Sequence, residues 1–242
     1  MRMLRTGKHS PKLDYRTFHF PNYNAAMKPA PKTHDSLKRV LGKSTVDKMF
    51  PMDGNDVEGS CTICGRAHAL TLFHGFIGKK LIPTAAQVHK RYRHLTGGED
   101  TGLNMLDVLN DWRKSPFDRE ILKAFAKLDP KNHGHVKQAI AYFGCVYLGF
   151  QCQQNVIKDF DAGKTWTPGK LTEDGHCVVA AGYDPDRVAM LTWGAVQTGV
   201  WDWWDECVDE AYVLLPSEAT HKGFAPGFDF KTLQTDLSAV TG

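Results

Sequence analysis

Two segments far apart in the chain, one closing on a cysteine and the other opening on a histidine, constrain how this sequence can fold. Asn55-Asp56-Val57-Glu58-Gly59-Ser60-Cys61 leads into an apolar run from Thr62 to Phe76. Gly175-His176-Cys177-Val178-Val179-Ala180-Ala181-Gly182-Tyr183 is followed by Leu191-Thr192-Trp193-Gly194. A helix that starts at a thiol, with a strand that starts at an imidazole farther down the chain, can assemble a Cys-His hydrolase site or the relic of one. Neither segment carries that meaning alone.

The 242 residues allow one large domain or two small ones. Hydrophobic residues make up 42% and charged residues 24%, enough to bury a real core. No apolar stretch approaches the roughly 20 residues that span a bilayer, and the basic start MRMLRTGKHSPK lacks the apolar segment of a secretory signal. No membrane partner and no signal-directed secretion are therefore expected. Six cysteines in a chain of this length do not make a disulfide scaffold. Cys145 and Cys152 sit in apolar surroundings, so buried, reduced cysteines are expected.

Charge divides the chain. Residues 1–39 hold nine Lys/Arg and two Asp/Glu, a net +7, so the whole-chain +3 leaves residues 40–242 at 3 − 7 = −4. A basic arm suits nucleic acid or an acidic protein surface; without a repeated basic run, nucleic acid is not the expected partner. Pro11, Pro21, Pro29 and Pro31 block helix, and Leu13 to Phe20 alternates polar and large apolar groups. Residues 1–40 thus read as an extended basic arm and 41–242 as the folded domain. Tyr15, Phe18 and Phe20 are expected to bury against that domain or a neighbouring subunit.

Within the domain, Ser60 is a plausible N-cap for a buried helix from Cys61 to about Gly75. Further helices are expected from Pro83-Thr84 to Gly97, from Asn104 to Arg113, and from Asp129-Pro130 to Phe143. Strands are expected at 145–150, 176–181, 188–193 and 210–215, with a short aromatic helix over 200–207. Asp184-Pro185-Asp186 reads as a hairpin turn. Helices precede most strands, which predicts an α+β fold with segregated layers: a helical layer, carrying the Cys61 helix, on a mostly antiparallel sheet.

A free thiol has a pKa of about 8.5, and the thiolate is the nucleophile. A helix N-terminus favours the anion, and an imidazolium stabilises it further before protonating a leaving group. Cys61 and His176 fit those roles. Asn55, six residues before Cys61, could place an amide N–H beside the Cys61 backbone N–H as an oxyanion donor. Other readings are weaker. Cys61-x-x-Cys64 with His68 lacks a second ligand pair for zinc, and a thioredoxin-type dithiol lacks its preceding strand. Trp201, Trp203 and Trp204 read as core. No cofactor or metal is expected.

These residues resemble the papain-like cysteine peptidase superfamily. Gly59-Ser60-Cys61 resembles the motif around that family's nucleophile, and GHCVVAAGY at 175–183 resembles its histidine strand. Leu191-Thr192-Trp193-Gly194 aligns with its Asn-Ser-Trp-Gly segment, and Asn55 falls on its oxyanion glutamine. The likeness is closer to small papain-like proteins of tailed bacteriophages and prophages. It is carried by NDVEGSCTICGRAH (55–68), PTAAQV (83–88), LDVLNDWR (106–113), DPKN (129–132), GHCVVAAGYD (175–184), TWGAVQ (192–197) and DEAYVLL (209–215). It spans about residues 50–215. Leu191 replaces the family's asparagine and cannot accept a hydrogen bond, while Thr192, one residue on, is expected to face the other side of its strand. The resemblance therefore implies a cysteine hydrolase, peptidase or amidase, built on a Cys61–His176 dyad with Asn55. It would act on a protein or peptide substrate in the host cytoplasm. The alternative is a virion structural protein with a vestigial site, tied to other virion proteins by its arm.

Overall fold

The computed structural model describes residues 4–217 and 225–241. In chain order the elements are β1 (Phe18–His19), β2 (His34–Asp35), α1 (Ser36–Leu41), α2 (Val46–Met49), α3 (Cys61–Phe76), α4 (Ala85–Leu95), α5 (Met105–Lys114), β3 (Leu122–Leu128), α6 (His133–Phe143) and β4 (Val146–Gln153). They continue with α7 (Val156–Asp161), β5 (Leu171–Tyr183), β6 (Arg187–Thr192), β7 (Ala195–Val200), α8 (Trp201–Cys207), β8 (Val208–Pro216) and α9 (Phe230–Thr241). The sheet runs β1-β3-β8-β4-β5-β6-β7, with β2 added to β5. Its pairs are antiparallel except β1 with β3. This is the α+β arrangement that the order of helix and strand signals predicts.

Alternation along the central strands sorts side chains into two apolar clusters. On β5, Cys177, Val179 and Ala181 join the cluster with α3, α4 and α5, while Val178 and Ala180 join the other with α6 and α8. Tyr147 and Leu148 split β4 in the same way. Helix α3 is buried on nearly every face because it lies between the sheet and the other helices, so its apolarity is continuous and not amphipathic. The end residues of α4 and α5 fit local capping rules. Thr84 and Gln87 form a reciprocal capping box, and Asn104 accepts from the Leu106 N–H. Ser60 does not cap α3: its backbone is already near-helical, and its hydroxyl lies 3.5 Å from Cys64 Sγ.

The arm lies along its own body. Phe20 is fully buried and Phe18 partly, and Phe20 meets Phe143 and Phe228 edge-on or stacked. The expectation for Tyr15 fails, since it is 93% exposed. The alternating pattern continues through it, but β1 pairs only Phe18 and His19, so nothing lies across from Tyr15. Tyr23 donates to Asp236 and accepts the Asp229 N–H at its carbonyl, which ties the arm to α9. Asp184 accepts from the Asp186 and Arg187 N–H groups and makes the expected β5–β6 turn. All six cysteines are free and buried. No helix among the described residues is long and apolar enough to cross a membrane.

Arg66, on α3, is a buried cation at the back of the helical layer. It donates to Asp111 Oδ2 at 2.9 Å and packs over Trp112 and Phe117, and Arg91 clamps the same carboxylate. Burial lowers its pKa to about 10 in spite of Asp111. Asp111→Ala would strand that charge and is expected to cost about 3 kcal/mol in urea unfolding, whereas Arg66→Met, of similar length and apolar, should cost clearly less.

Candidate active site

The site lies where the loop before α3 faces the start of β5. Cys61 is the first residue of α3 and 1% exposed. Its thiol is approached by the backbone N–H groups of Cys177, Thr62 and Gly7, and by the charge of Lys8. These favour the thiolate, but burial is larger and pushes the thiol up to about 12.

His176 is fully buried. Its Nε2 lies 2.7 Å from Thr192 Oγ1, and its Nδ1 has no hydrogen-bond partner. The Trp193 ring stacks on the imidazole at 4.2 Å between centroids and 19° between planes, and Phe150 meets it edge-on. Trp193 is held at φ 46°, an unusual conformation for a side chain of that size. Burial alone lowers the His176 pKa to about 3. The thiol and the imidazole are both neutral here, and no ion pair forms between them.

The expectation for β6 is corrected. Thr192 reaches the histidine and Leu191 does not. Leu191 pairs with Val179 and packs in the α3 cluster, so the next residue faces the opposite side, which is where His176 sits. Thr192 fixes the histidine ring through its hydroxyl.

Asn55 is buried, and its Nδ2 donates to the Glu58 carbonyl at 3.0 Å. That bond closes the loop 55–58, whose Glu58 carboxylate meets His89 and Arg93 of α4. The orphan N–H groups of the first turn of α3 begin directly after this loop.

The cleft is filled by the arm, which sequence reasoning missed. Arg5 N–H donates to Asn55 O (2.9 Å), and Gly7 and Lys8 N–H both donate to Gly175 O (3.1 and 3.0 Å). Leu103 N–H donates to Gly7 O, His9 N–H to Leu103 O, and Trp193 Nε1 to Arg5 O. The passage is narrow: a Cβ on Gly7 would fall 2.1 Å from Gly59 O. The recurring glycines at 7, 59, 102 and 175 were the available signal, but nothing in the sequence pairs them. Among the described residues no group of three His, Cys, Asp or Glu side chains could hold a metal ion.

The buried histidine makes stability depend on pH. In the unfolded chain it takes up a proton near pH 6.5, and in the folded chain only near pH 3. Below about pH 6.5 the unfolded state binds more protons, so its contribution to stability is full above that pH and falls with the pH towards 3. Between pH 7 and 4.5 the native chain is expected to lose about 2–3 kcal/mol relative to His176→Gln, read from urea midpoints at each pH.

No protein-family model matches the chain, and no curated protein matches it. Solved structures do. Xylellain, a cysteine protease from Xylella fastidiosa, superposes with TM-score 0.64 at 14% identity, covering 88% of this chain and 97% of that one. Procathepsin B S9 from Trypanosoma congolense gives 0.58 at 12%, covering 89% and 87%. The Carica candamarcensis cysteine protease CMS1MS2 gives 0.54 at 14%, covering 76% and 98%. At these identities the likeness speaks to architecture, and the chain has a papain-like cysteine-protease fold.

Proposed function

We propose that the chain is a cysteine hydrolase of the peptidase or amidase type, held latent by its own arm. The observation that carries this reading is the held imidazole. His176 has one nitrogen fixed by Thr192, the other without a partner, and Trp193 over its face, on the strand whose Cys177 N–H meets the Cys61 thiol. With Nε2–H donating to Thr192, Nδ1 is the bare base.

In the proposed reaction Cys61 Sγ attacks an amide carbonyl and forms a C–S bond, while its proton passes to His176 Nδ1. The C–N bond then breaks and that proton goes to the leaving amine. Water hydrolyses the thioester, releasing the acid and restoring the thiol. The developing oxyanion would be met by the Cys61 backbone N–H and the second amide N–H of Asn55. Burial is the only cause of the histidine's shift and the largest of the cysteine's, so an opening that admits water to both groups would bring the two pKa values towards each other.

The phage-type substrate and the host-cytoplasmic or virion setting rest on the sequence resemblance and belong to this proposal. A second reading, a virion structural protein with a silent site, is favoured by the occupied cleft and the neutral, buried thiol.

Thiol chemistry separates the two. In the native chain Cys61 should alkylate slowly with iodoacetamide at pH 7. Gly7→Val, which cannot pass Gly59, should speed it at least about tenfold, and adding His176→Ala should remove most of that gain. The same released chain should cleave an unfolded protein such as reduced casein, and Cys61→Ser should abolish the cleavage. No acceleration on release, or cleavage that survives Cys61→Ser, would discard the hydrolase. In the released chain Asn55→Ala should lower turnover by about 10²–10³-fold and leave alkylation nearly unchanged.

A further inference from the structure

The Lys8 side chain leaves the arm and enters a slot beside the cleft. A Cβ on Gly149 would fall 2.0 Å from Lys8 Cε and 2.6 Å from Met105 Sδ, so the stem runs where Gly149 has no side chain and Met105 closes the other wall. Nζ ends 2.9 Å from Asp209 Oδ2 and 3.3 Å from Glu210 Oε1. The side chains of Lys8 and Glu210 are 1% and 0% exposed, and that of Asp209 is 31% exposed. Glu210 Oε2 accepts from Tyr212, while Oε1 makes no aligned hydrogen bond and has only the Lys8 charge facing it. Burial would lower the Lys8 ammonium, but the two carboxylates outweigh it and hold it above its ordinary value. Burial also keeps Glu210 above the usual carboxylate range in spite of Lys8.

The backbone around Lys8 is held as a guest strand. It bridges to Leu103 on one side and takes Gly175 O on the other, one residue before His176. Gly7, its neighbour, gives its N–H to the same Gly175 carbonyl and passes against Gly59, two residues before Cys61. The slot is thus registered against both members of the candidate site. Without a cation, its floor holds a buried carboxylate with nothing to balance it, which disfavours an apolar occupant of the same length.

Building on the hydrolase reading above, we propose that this slot is the side-chain selector of the cleft. It takes the lysine side chain of a peptide substrate, and Arg5 to His9 occupy it as an internal stand-in until the arm leaves. The interaction is a charge-assisted hydrogen bond at the end of a slot bounded by Gly149 and Met105, which suits both the length and the charge of lysine.

The test uses the full chain carrying Gly7→Val and Lys8→Ala, which frees the cleft and empties the slot. A hexapeptide copying residues 5–10, Arg-Thr-Gly-Lys-His-Ser, and its norleucine analogue would each be titrated by calorimetry. The lysine peptide should bind roughly 10–100-fold tighter, and adding Asp209→Asn with Glu210→Gln should erase most of that preference. Equal affinities, or a preference for norleucine, would overturn the proposal. Selective binding without turnover would discard the hydrolase and keep the slot; turnover indifferent to lysine would do the reverse. Should the doubly substituted chain not fold, the native arm gives the same answer. Lys8→Met should expose Cys61 to iodoacetamide at least about fivefold faster than Lys8→Arg, and equal rates would sink the proposal.

Discussion

A lysine ammonium withdrawn from water must end on an anion, and in this fold the anions are Asp209, which takes its hydrogen bond, and Glu210, itself sealed inside the sheet. The state of the cleft follows from that pair. Lys8 can reach Glu210 only if the arm runs between Gly59 and Gly175, and that path puts Gly7 over Cys61 and Arg5 O on the Trp193 indole. Burial drives the pKa values of thiol and imidazole in opposite directions, one to about 12 and the other to about 3, and leaves both groups neutral.

The histidine ring is nevertheless held. Thr192 holds one nitrogen, and Trp193 and Phe150 confine the ring, so reorganisation on opening would fall mainly on protonation and not on rotamers. A threonine in this role is shorter than an amide and can both donate and accept, so it fixes the tautomer less firmly. Trp193 and Gly194, both at positive φ, make the two-residue β6–β7 turn that carries the indole over the imidazole.

Much of the fold was legible because its signals are local. The thiol at the head of α3, the capping box at Thr84, the Asn104 cap and the Asp184 turn are each written within a few residues. Strand β3 and helix α9 were missed for a common reason. LKAFAKL mixes lysines with alanines and has no β-branched residue, and it becomes a strand because β8 pairs along its length. Helix α9 has apolar residues at helical spacing, Phe230, Leu233 and Leu237, but what they dock on, the arm's aromatic cluster, is about 200 residues away in sequence. In the site, Cys61 and His176 could be named from order and spacing, whereas Thr192 needed the relative facing of two strands. Lys8 was invisible for a stronger reason: a lysine in a basic, proline-broken arm looks solvated, and only its partners 201 and 202 residues away show otherwise.

The route of the arm joins two requirements that pull against each other. At Gly7 the passage admits backbone alone, because any Cβ would meet the Gly59 carbonyl, yet one residue later the wall opens at Gly149 to admit a four-carbon stem. A chain that satisfies both must present a glycine and then a long, cation-tipped side chain in consecutive positions. The arm does so with Gly7-Lys8, and the hydrogen bonds from both residues to a single carbonyl, Gly175 O, fix that register. A slip of one residue would drive a side chain into Gly59 and leave Glu210 without its counter-charge. Sterics at one position and electrostatics at the next therefore specify the same alignment, which is why a segment with little regular secondary structure is held so definitely across the cleft.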